Sequence, residues 1–516
     1  MLLHGAASAG ARDFLVLDEE RISHERHLQL VERFAASVAE LGVRKGDRVA
    51  IATRNLPEWS IAFFGAAMAG AIAVPINAFG TGDELAFAIT DADANVVVAD
   101  RERLERLATA SSALAGRVVI GTRLDESPPD VIIFGELLEN DRKALRVDID
   151  PDDFATIFYT SGTTTRPKGV LGTRRNICSN LVSMMFSGVR TTLRDNATGS
   201  QSGPPVQLLS VPLFHATGCH SMLVGQAFFG GTLIFMRRWD SEAALDLIER
   251  ERVTSFSGVP TMLFDLLNSP TLDRRDLSSV GNFGGGAASP PELVRRIHER
   301  FPASGSVTGY GLTETSSITA SIGGSDYLDR PASVGIPVPI CEVRIVAPNG
   351  GDATVGETGE IWIKGANVVP GYWERPHETQ AAFTQGWLHS GDIGRLDDEG
   401  FLYIVDRAKD IVIRGGENIS TLEVESVLFE HPAVVDAAVF ATPHATLGEE
   451  VGAVVCVLPG SDATPEVLRA HAARHLATRK VPAHVWIAEE PLPRGDTGKV
   501  LKRVIQAEYA PLVPTS

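Results

Sequence analysis

The middle of the chain alternates between short apolar runs and amphipathic stretches, and this alternation limits the fold more than any other feature. The runs QLLSVPLFH (207–215) and GTLIFM (231–236) are flanked by turn residues, as buried strands are. The stretch DSEAALDLIERER (240–252) begins with a capping Asp240 and carries apolar residues at helical spacing. The alternation predicts a parallel sheet covered by helices, with ligands at the carboxyl ends of the strands.

The pattern changes after about Pro331. GEIWIKG (359–365) and GFLYIVD (400–406) are short alternating strands with glycine-rich turns, which predict a β subdomain over about 331–408. Strand and helix signals then follow one another in a small α+β unit. We therefore expect an α/β protein whose large N-terminal domain has parallel, helix-flanked sheets and a β subdomain.

Composition excludes several classes of protein. A length of 516 residues predicts two or more domains, and a net charge of −18 disfavours a nucleic-acid partner. The four cysteines lie far apart without a CxxC pair, so they indicate neither a disulfide framework nor a zinc site. The scattered cysteines favour a cytoplasmic protein. So does the N-terminus, which lacks the basic start before an apolar run that is typical of a secretion signal.

One uncharged stretch, from Trp59 to Gly82, is long enough to raise the question of a membrane span. Its glycine and alanine content, Pro75 and Asn77 instead predict a small-residue helix that runs into a buried strand, AIAVPI (71–76). We expect no integral membrane span.

The loop YTSGTTTRPKGV (159–170) collects hydroxyl groups, glycines and one lysine, which together suit a phosphate group. A nucleotide P-loop requires GxxxxGK[ST]. Here Lys168 is preceded by Pro167 and followed by Gly169, with no hydroxyl residue after it. A P-loop NTPase is therefore disfavoured.

The same loop resembles the phosphate loop of the adenylate-forming superfamily: acyl-CoA synthetases, aryl-CoA ligases, luciferases and adenylation domains of nonribosomal peptide synthetases. Further motifs of that family follow in its order: PLFH (212–215), FGGGA (283–287), YGLTET (310–315), GEIWIKG (359–365), GWLHSGD (386–392), DRAKDIVIRGGENIS (406–420) and PRGDTGK (493–499). The resemblance covers nearly the whole chain. It implies an ATP-dependent acid–CoA ligase, which forms acyl-AMP with release of pyrophosphate and then transfers the acyl group to the CoA thiol.

The resemblance also implies a site for ATP and Mg²⁺. Glu314 would bind the metal, Thr313 would contact the α-phosphate and Tyr310 would lie flat on adenine. Without the neighbouring motifs, a core aromatic and a solvated charge would be simpler interpretations of Tyr310 and Glu314. The implied ATP-binding residues are Thr160, Ser161, Gly162, Thr163, Thr164, Lys168, Gly285, Gly286, Ala287, Tyr310, Gly311, Asp392 and Arg407, of which the last two would bind the ribose hydroxyls.

Lys499, in the loop PRGDTGK, would stabilise negative charge between the attacking carboxylate and the α-phosphate. With Thr313 and Glu314 it completes the implied catalytic set. Two positions depart from the family pattern. Thr165 stands where relatives commonly have glycine, which would stiffen the phosphate loop, and Asp496 stands where small neutral residues are commoner, which would weaken the approach of the lysine loop to phosphate.

Lys409 stands at the implied hinge, between an N-terminal domain over 1–408 and a mobile C-terminal lid over 409–516. The lid would first present its catalytic lysine and then swing to offer another face to CoA. In that second state Gly415 and Gly416 would line the pantetheine channel, because glycine is needed where backbone packs closely on a ligand. A plain glycine turn is the alternative for this pair.

A few side chains narrow the range of carboxylic acids that could be the substrate. His215 provides no fixed anion for a substrate ammonium, which disfavours amino acids. Gly311 leaves open a place that acetate-activating relatives fill with tryptophan, which favours a larger acid. The candidate acyl pocket is small and apolar, as for a fatty or aryl tail: His215, Cys219, Met222, Val259, Phe283 and Gly284. His215 is either a gate of the acyl channel or an ordinary buried histidine.

Two other functions stay open at this point. The chain could load a carrier protein instead of CoA, although it lacks the extra insertion that such relatives often carry. It could also be a nucleotide-binding homologue without catalysis, but Lys168, Glu314 and Lys499 are all retained. The sequence leaves open the acyl chain length and the oligomeric state, a homodimer included.

Overall fold

The computed structural model describes residues 1–126, 128–139, 141, 143–144, 147–160, 166–195, 203–285, 289–495 and 498–513. A π-helix over Thr217–Leu223 precedes one of the α-helices. The α-helices are Leu2–Ala9, His24–Glu40, Pro57–Met68, Gly82–Asp91, Arg101–Leu107, Arg174–Arg194, Val224–Phe229, Ser241–Arg250, Pro260–Leu267, Pro291–Arg300, Ser325–Asp329, Pro376–Ala382, Thr421–Phe429, Pro465–His475 and Lys502–Tyr509.

The first large sheet has nine strands, and its middle six are parallel. In spatial order they are Ile336–Pro337, Ala320–Gly323, Gly305–Tyr310, Asn282–Gly285, Ser255–Gly258, Val206–Leu209, Thr232–Phe235, Asp13–Leu17 and Glu20–Ser23. Antiparallel strands close both edges. The helix Ser241–Arg250 is capped by the Asp240 side chain, which accepts a hydrogen bond from the Ala243 N–H. The predicted strand–helix alternation is confirmed.

The second large sheet has eight strands. In spatial order they are Gly371–Tyr372, Lys168–Thr173, Phe154–Thr160, Ile72–Pro75, Arg48–Ala52, Val96–Asp100, Val118–Thr122 and Val131–Ile133. The helix Pro57–Met68 and the strand Ile72–Pro75 show that the uncharged stretch is a core helix followed by a buried strand. Among the described residues, no helix combines the length and apolarity that crossing a membrane requires.

Both large sheets are buried on two faces. Successive strand residues point to opposite sides of a sheet, and here the residues on both sides belong to hydrophobic cores. Leu15 and Leu17 pack between the two sheets, whereas Val16 packs on the far side of its sheet. In the second sheet Val49 faces the shared core and Ala50 the far side. Helices therefore cover every large face, as expected for parallel sheets.

Two smaller sheets follow. The β subdomain contains Cys341–Val346, Gly359–Gly365, Trp387–Leu396, Phe383–Thr384 and Leu402–Arg407. The C-terminal sheet contains Glu417–Ile419, Val412–Arg414, Gly448–Val457, Val434–His444 and His484–Ile487. The chain passes from one sheet to the other through the turn at 408–410, which contains Lys409. That turn is where the hinge is predicted.

The helix Thr421–Phe429 of the C-terminal domain packs on the large domain. Phe429, at the end of Thr421–Phe429, stacks on Phe264 of the large domain with ring centroids 5.5 Å apart. At the other end of that helix, the Thr421 hydroxyl donates to the Asp406 carboxylate over 2.8 Å. These contacts fix the orientation in which the C-terminal loop meets the large domain.

Candidate active site

Four neighbouring parallel strands of the nine-stranded sheet end at the same edge. They are Val206–Leu209, Ser255–Gly258, Asn282–Gly285 and Gly305–Tyr310. Several residues of the predicted site follow them, among them His215, Val259, Thr313 and Glu314, because the carboxyl ends of parallel strands form a natural crevice.

Asp392, Arg407 and Tyr310 meet beside this edge. Asp392 and Arg407 are direct partners on neighbouring antiparallel strands, and Arg407 Nε lies 3.4 Å from Asp392 Oδ1. The Tyr310 hydroxyl donates to Asp392 Oδ2 over 2.7 Å. Burial raises the pKa of Asp392, and the guanidinium of Arg407 opposes that shift. The strand register thus places an acceptor and a donor side by side, as ribose binding requires.

Lys499 reaches the same place from the C-terminal domain. Its side chain is accessible to solvent, but protein atoms surround the cleft and lower the pKa of the ammonium group. The positive charge of Arg407 lowers that pKa further, while Asp392 opposes the shift. The structure therefore brings Lys499 near two charged residues that lie 92 and 107 positions before it in the sequence.

The loop that carries Lys499 is folded on itself and fitted to the large domain. Gly498 N–H donates to the Gly495 carbonyl over 2.8 Å, and Gly495 N–H donates to the Lys499 carbonyl over 2.9 Å. Gly498 has φ +79°, and a Cβ there would lie 3.0 Å from Val259 Cγ2. Arg494 donates to the Gly498 carbonyl over 2.6 Å. Asp496 lies outside the described residues.

Glu314 stands in a second charged group. Burial raises the pKa of its carboxyl, and the negative charge of Asp392 acts in the same direction. The Tyr372 hydroxyl donates to Glu314 Oε1 over 3.0 Å. Lys168 Nζ lies 5.4 Å from the centre of the Tyr372 ring, so that ring stands beside both charges. Sequence reasoning missed Tyr372, which is 58 positions from Glu314 and in no motif that we singled out.

The strands Phe154–Thr160 and Lys168–Thr173, which flank the predicted phosphate loop, pair as an antiparallel hairpin. Thr160 and Lys168 are opposite each other at the end of its two strands. The Tyr159 hydroxyl donates to Asp91 Oδ2 over 2.9 Å, and the Trp373 indole donates to the Asp91 carbonyl over 3.1 Å. These two bonds hold Tyr159 of the hairpin and the neighbouring Trp373 against Asp91, the last residue of the helix Gly82–Asp91. Six predicted nucleotide-binding residues, and the departure at Thr165, lie outside the described residues: Ser161, Gly162, Thr163, Thr164, Gly286 and Ala287.

The turn after Tyr310 corrects one interpretation. A Cβ on Gly311 would lie 1.4 Å from the Ser317 carbonyl oxygen, so backbone already occupies that side of the glycine. The interpretation that the place at Gly311 is open was therefore wrong, but the predicted preference for a larger acid is not contradicted by it. Ser317 itself has φ +105°, a strained conformation that no sequence signal indicated. Thr313 is half-buried in the short 3₁₀ turn Thr313–Thr315 of this segment.

His215, Cys219 and Met222 follow the strand Val206–Leu209. Burial lowers the pKa of His215 to about 4, and the charge of Lys499 adds to the shift. The buried Nε2 of His215 has no hydrogen-bond partner among the described residues. Cys219 and Met222 lie on the π-helix and are buried in the core between the two large sheets. The histidine is thus a neutral group beside the lysine at ordinary pH.

The structure places Phe283 in a hydrophobic core and does not support its predicted position in the acyl pocket. It stacks on Phe301 with ring centroids 4.7 Å apart and belongs to the core between sheet and helices. Its neighbour Gly284 is on the opposite face of the strand, where a Cβ would lie 2.6 Å from Ser257 Oγ. The motif identified the strand but not the direction of each side chain.

Gly415 and Gly416 form the turn of an exposed hairpin. Their φ angles are +57° and +86°, values that favour glycine in a tight turn. In this arrangement the turn geometry alone explains both glycines. Their predicted contact with CoA concerns a different orientation of the domain and stays a prediction.

Comparison with known proteins gives consistent matches. A family profile described as AMP-binding enzyme matches residues 3–373, and one described as AMP-binding enzyme C-terminal domain matches residues 423–499. Feruloyl-CoA synthase from Amycolatopsis sp is 35% identical over 93% of this chain and 92% of its own length. Long-chain-fatty-acid–CoA ligase from Bacillus subtilis is 33% identical over 92% of this chain and 88% of its own length.

A solved structure extends the likeness to three dimensions. O-succinylbenzoate CoA synthetase from Bacillus subtilis, in complex with its acyl-adenylate intermediate, matches this chain with a TM-score of 0.81 and 29% identity. The match covers 98% of this chain and 97% of that one. The similarity therefore includes both domains.

The environment of Lys499 predicts its reactivity. Because its pKa is lowered, a larger fraction of the amine is unprotonated at about pH 8.5 than for an ordinary lysine. Arg407→Gln should raise that pKa and slow labelling by an amine-directed ester, whereas Asp392→Asn should lower it and speed labelling. Mass spectrometry of the labelled peptides gives the rates, with the exposed Lys364 as internal reference. Equal Lys499 rates in both variants would contradict the assigned electrostatics.

Proposed function

The chain belongs to the AMP-binding enzymes of the adenylate-forming superfamily, and we propose that it is an ATP-dependent carboxylic acid–CoA ligase. One observation carries the proposal: the loop of Lys499 in the C-terminal domain meets Val259 of the large domain, where the charges of Arg407 and Asp392 act on the lysine. This arrangement suits the first half-reaction. A carboxylate oxygen attacks the α-phosphorus of ATP, the bond to the β-phosphate breaks, and pyrophosphate leaves.

The charges of the site fit a nucleotide. Asp392 would accept hydrogen bonds from the ribose hydroxyls and Arg407 would donate to them, while Tyr310 would stack on adenine. Thr160 and Lys168, at the mouth of the hairpin, would contact the β- and γ-phosphates. Lys499 would stabilise the charge that develops as the carboxylate approaches the α-phosphate, where a preorganised donor has most effect.

A Mg²⁺ ion fits Glu314. Its enclosed carboxylate accepts a hydrogen bond from a neutral phenol, and burial makes an unbalanced negative charge there unfavourable. A hard divalent cation prefers such an oxygen ligand and neutralises triphosphate charge when bound. Thr313, adjacent in the same turn, would contact the α-phosphate.

The substrate that we propose is an apolar acid with a fatty or aryl tail. Cys219 and Met222 belong to the core between the two large sheets, so only His215 bears on the acid, and its imidazole is uncharged at neutral pH. Charged amino acids would find no partner there. The relatives named for feruloyl and long-chain acyl groups are each about one-third identical to this chain, so the similarity alone does not choose between the two tails.

CoA is the acceptor that we propose for the second half-reaction. Its thiol would attack the carbonyl carbon of acyl-AMP, and AMP would leave. The named relatives over most of the chain are CoA ligases, which favours CoA over a carrier protein. This step needs the C-terminal domain to turn about Lys409, and Gly415 and Gly416 would then approach the pantetheine.

A panel of acids tests the function directly. The purified protein with ATP and Mg²⁺ should release pyrophosphate with medium-chain, long-chain or cinnamate-type acids and form thioester only when CoA is added. Acetate and amino acids are the matched negative substrates. Pyrophosphate release without thioester formation would favour carrier-protein loading. No pyrophosphate release with any of the acids would favour a homologue without catalysis.

Lys499→Ala separates the two half-reactions. It should slow acyl-adenylate formation by ~10²–10³, because it removes one preorganised donor at the reacting phosphate. Thioester formation from supplied acyl-AMP should stay within about threefold of wild type, since that step does not use this lysine. Stopped assays with each substrate measure the two rates, and an equal loss in both would refute the role.

Gly498→Ala tests the fit of the loop. An alanine there needs a left-handed conformation, which costs about 1–2 kcal/mol, and its Cβ would press on Val259. Adenylation should fall about tenfold or more, because small misplacements of a catalytic group are costly. Gly460→Ala is the matched control, since Gly460 has φ +76° with open space around it. Equal adenylation rates in the two variants would show that the Val259 contact does not position Lys499.

A further inference from the structure

A cluster of metal-binding side chains lies in the C-terminal domain, apart from the residues of the proposed active site. His471 and His475 are four positions apart on the helix Pro465–His475, so they share one face. Glu430 follows directly after the helix Thr421–Phe429. One ligand atom from each of the three residues lies within 4.8 Å of the others.

The tautomer of His471 is set by the protein. Its Nε2 lies 2.9 Å from the Val427 carbonyl, which accepts hydrogen bonds only. Nε2 therefore carries the proton, and the lone pair is on Nδ1. A metal-bound histidine usually donates its other N–H to a carbonyl or carboxylate in this way. His471 is 8% exposed, so its ring is already held in place before any ligand binds.

An ion pair alone does not account for the cluster. Glu430 Oε2 and His475 Nδ1 are 3.8 Å apart, and both side chains are nearly half exposed, so their attraction contributes little to stability. The nearby His431 is differently engaged. Its Nδ1 accepts the Ala433 N–H over 3.3 Å, and its ring meets His471 edge-on. His431 therefore borders the cluster without adding a lone pair to it.

We propose that Glu430, His471 and His475 bind a divalent transition-metal ion of the Zn²⁺ type. Two imidazoles and one carboxylate are the donors that such ions prefer, whereas Mg²⁺ and Ca²⁺ require mainly oxygen ligands. Water completes the coordination, since Glu430 and His475 are accessible to solvent. Small side-chain rotations bring the three atoms to bonding distance.

A bound ion would link two helices of the C-terminal domain. Glu430 directly follows the helix whose Phe429 stacks on Phe264 of the large domain, and the two histidines belong to the helix packed beside it. An ion that binds only the folded domain raises its stability by mass action. The site would therefore stabilise one of the elements through which the C-terminal domain contacts the large domain.

Co²⁺ serves as the spectroscopic probe in the full-length, tag-free protein. Titration should give a saturable visible d–d absorption with one equivalent bound, and Zn²⁺ should displace it. His475→Ala should weaken Co²⁺ binding by ~10-fold or more, since even outer contacts of metal ligands have effects of that size. His377→Ala, which removes an exposed histidine of the large domain, should titrate as the wild type does.

Glu430→Gln provides a second variant at an exposed position, in case His475→Ala disturbs the fold. It should also weaken Co²⁺ binding, and circular dichroism should show both variants folded. The proposal is overturned if the wild type gives no saturable absorption, or if both variants titrate like His377→Ala. The Co²⁺ titration needs neither acid nor ATP, so its outcome is independent of the proposed ligase activity.

Discussion

The proposed chemistry depends on the contact between the lysine loop and the large domain. Gly498 takes a left-handed conformation against Val259, and this close approach carries Lys499 to Asp392 and Arg407. A side chain larger than hydrogen at that position would push the loop away. The most consequential interaction between the domains is thus a van der Waals contact at a glycine, with the charges arranged around it.

That arrangement places both signs of charge in a cleft where solvation is weak. Lys499 has a lowered pKa and Glu314 a raised one, so each would gain from a partner of opposite charge. A triphosphate with a divalent cation supplies both partners at once. The same low solvation that makes the unliganded charges unfavourable makes their interaction with a nucleotide strong. The proposed site would thus suit a ligand that carries fixed charge of both kinds.

Sequence reasoning located the elements well and the side-chain directions poorly. Hydrophobic periodicity depends on burial, so the strands around 207–310 and the helix after Asp240 were predictable. A motif marks a stretch of chain, but the pleat sends Phe283 and Gly284 to opposite faces. Tyr372 went unnoticed because its partner Glu314 is distant in the sequence. The packing of Gly311 against Ser317 depends on a strained turn that has no compositional signature.

Rotation about Lys409 would have to break specific contacts. Asp406, before the turn, accepts hydrogen bonds from the backbone N–H and hydroxyl of Thr421, after it, and all these groups are buried. Bonds to a charged group contribute about 1.5–3 kcal/mol each when water replaces the lost partner. The stacked pair Phe264 and Phe429 adds about 0.5–1.5 kcal/mol beyond its buried area. In the proposed reaction, release of pyrophosphate would remove negative charge near Lys499, and the domain would then exchange these modest contacts for others.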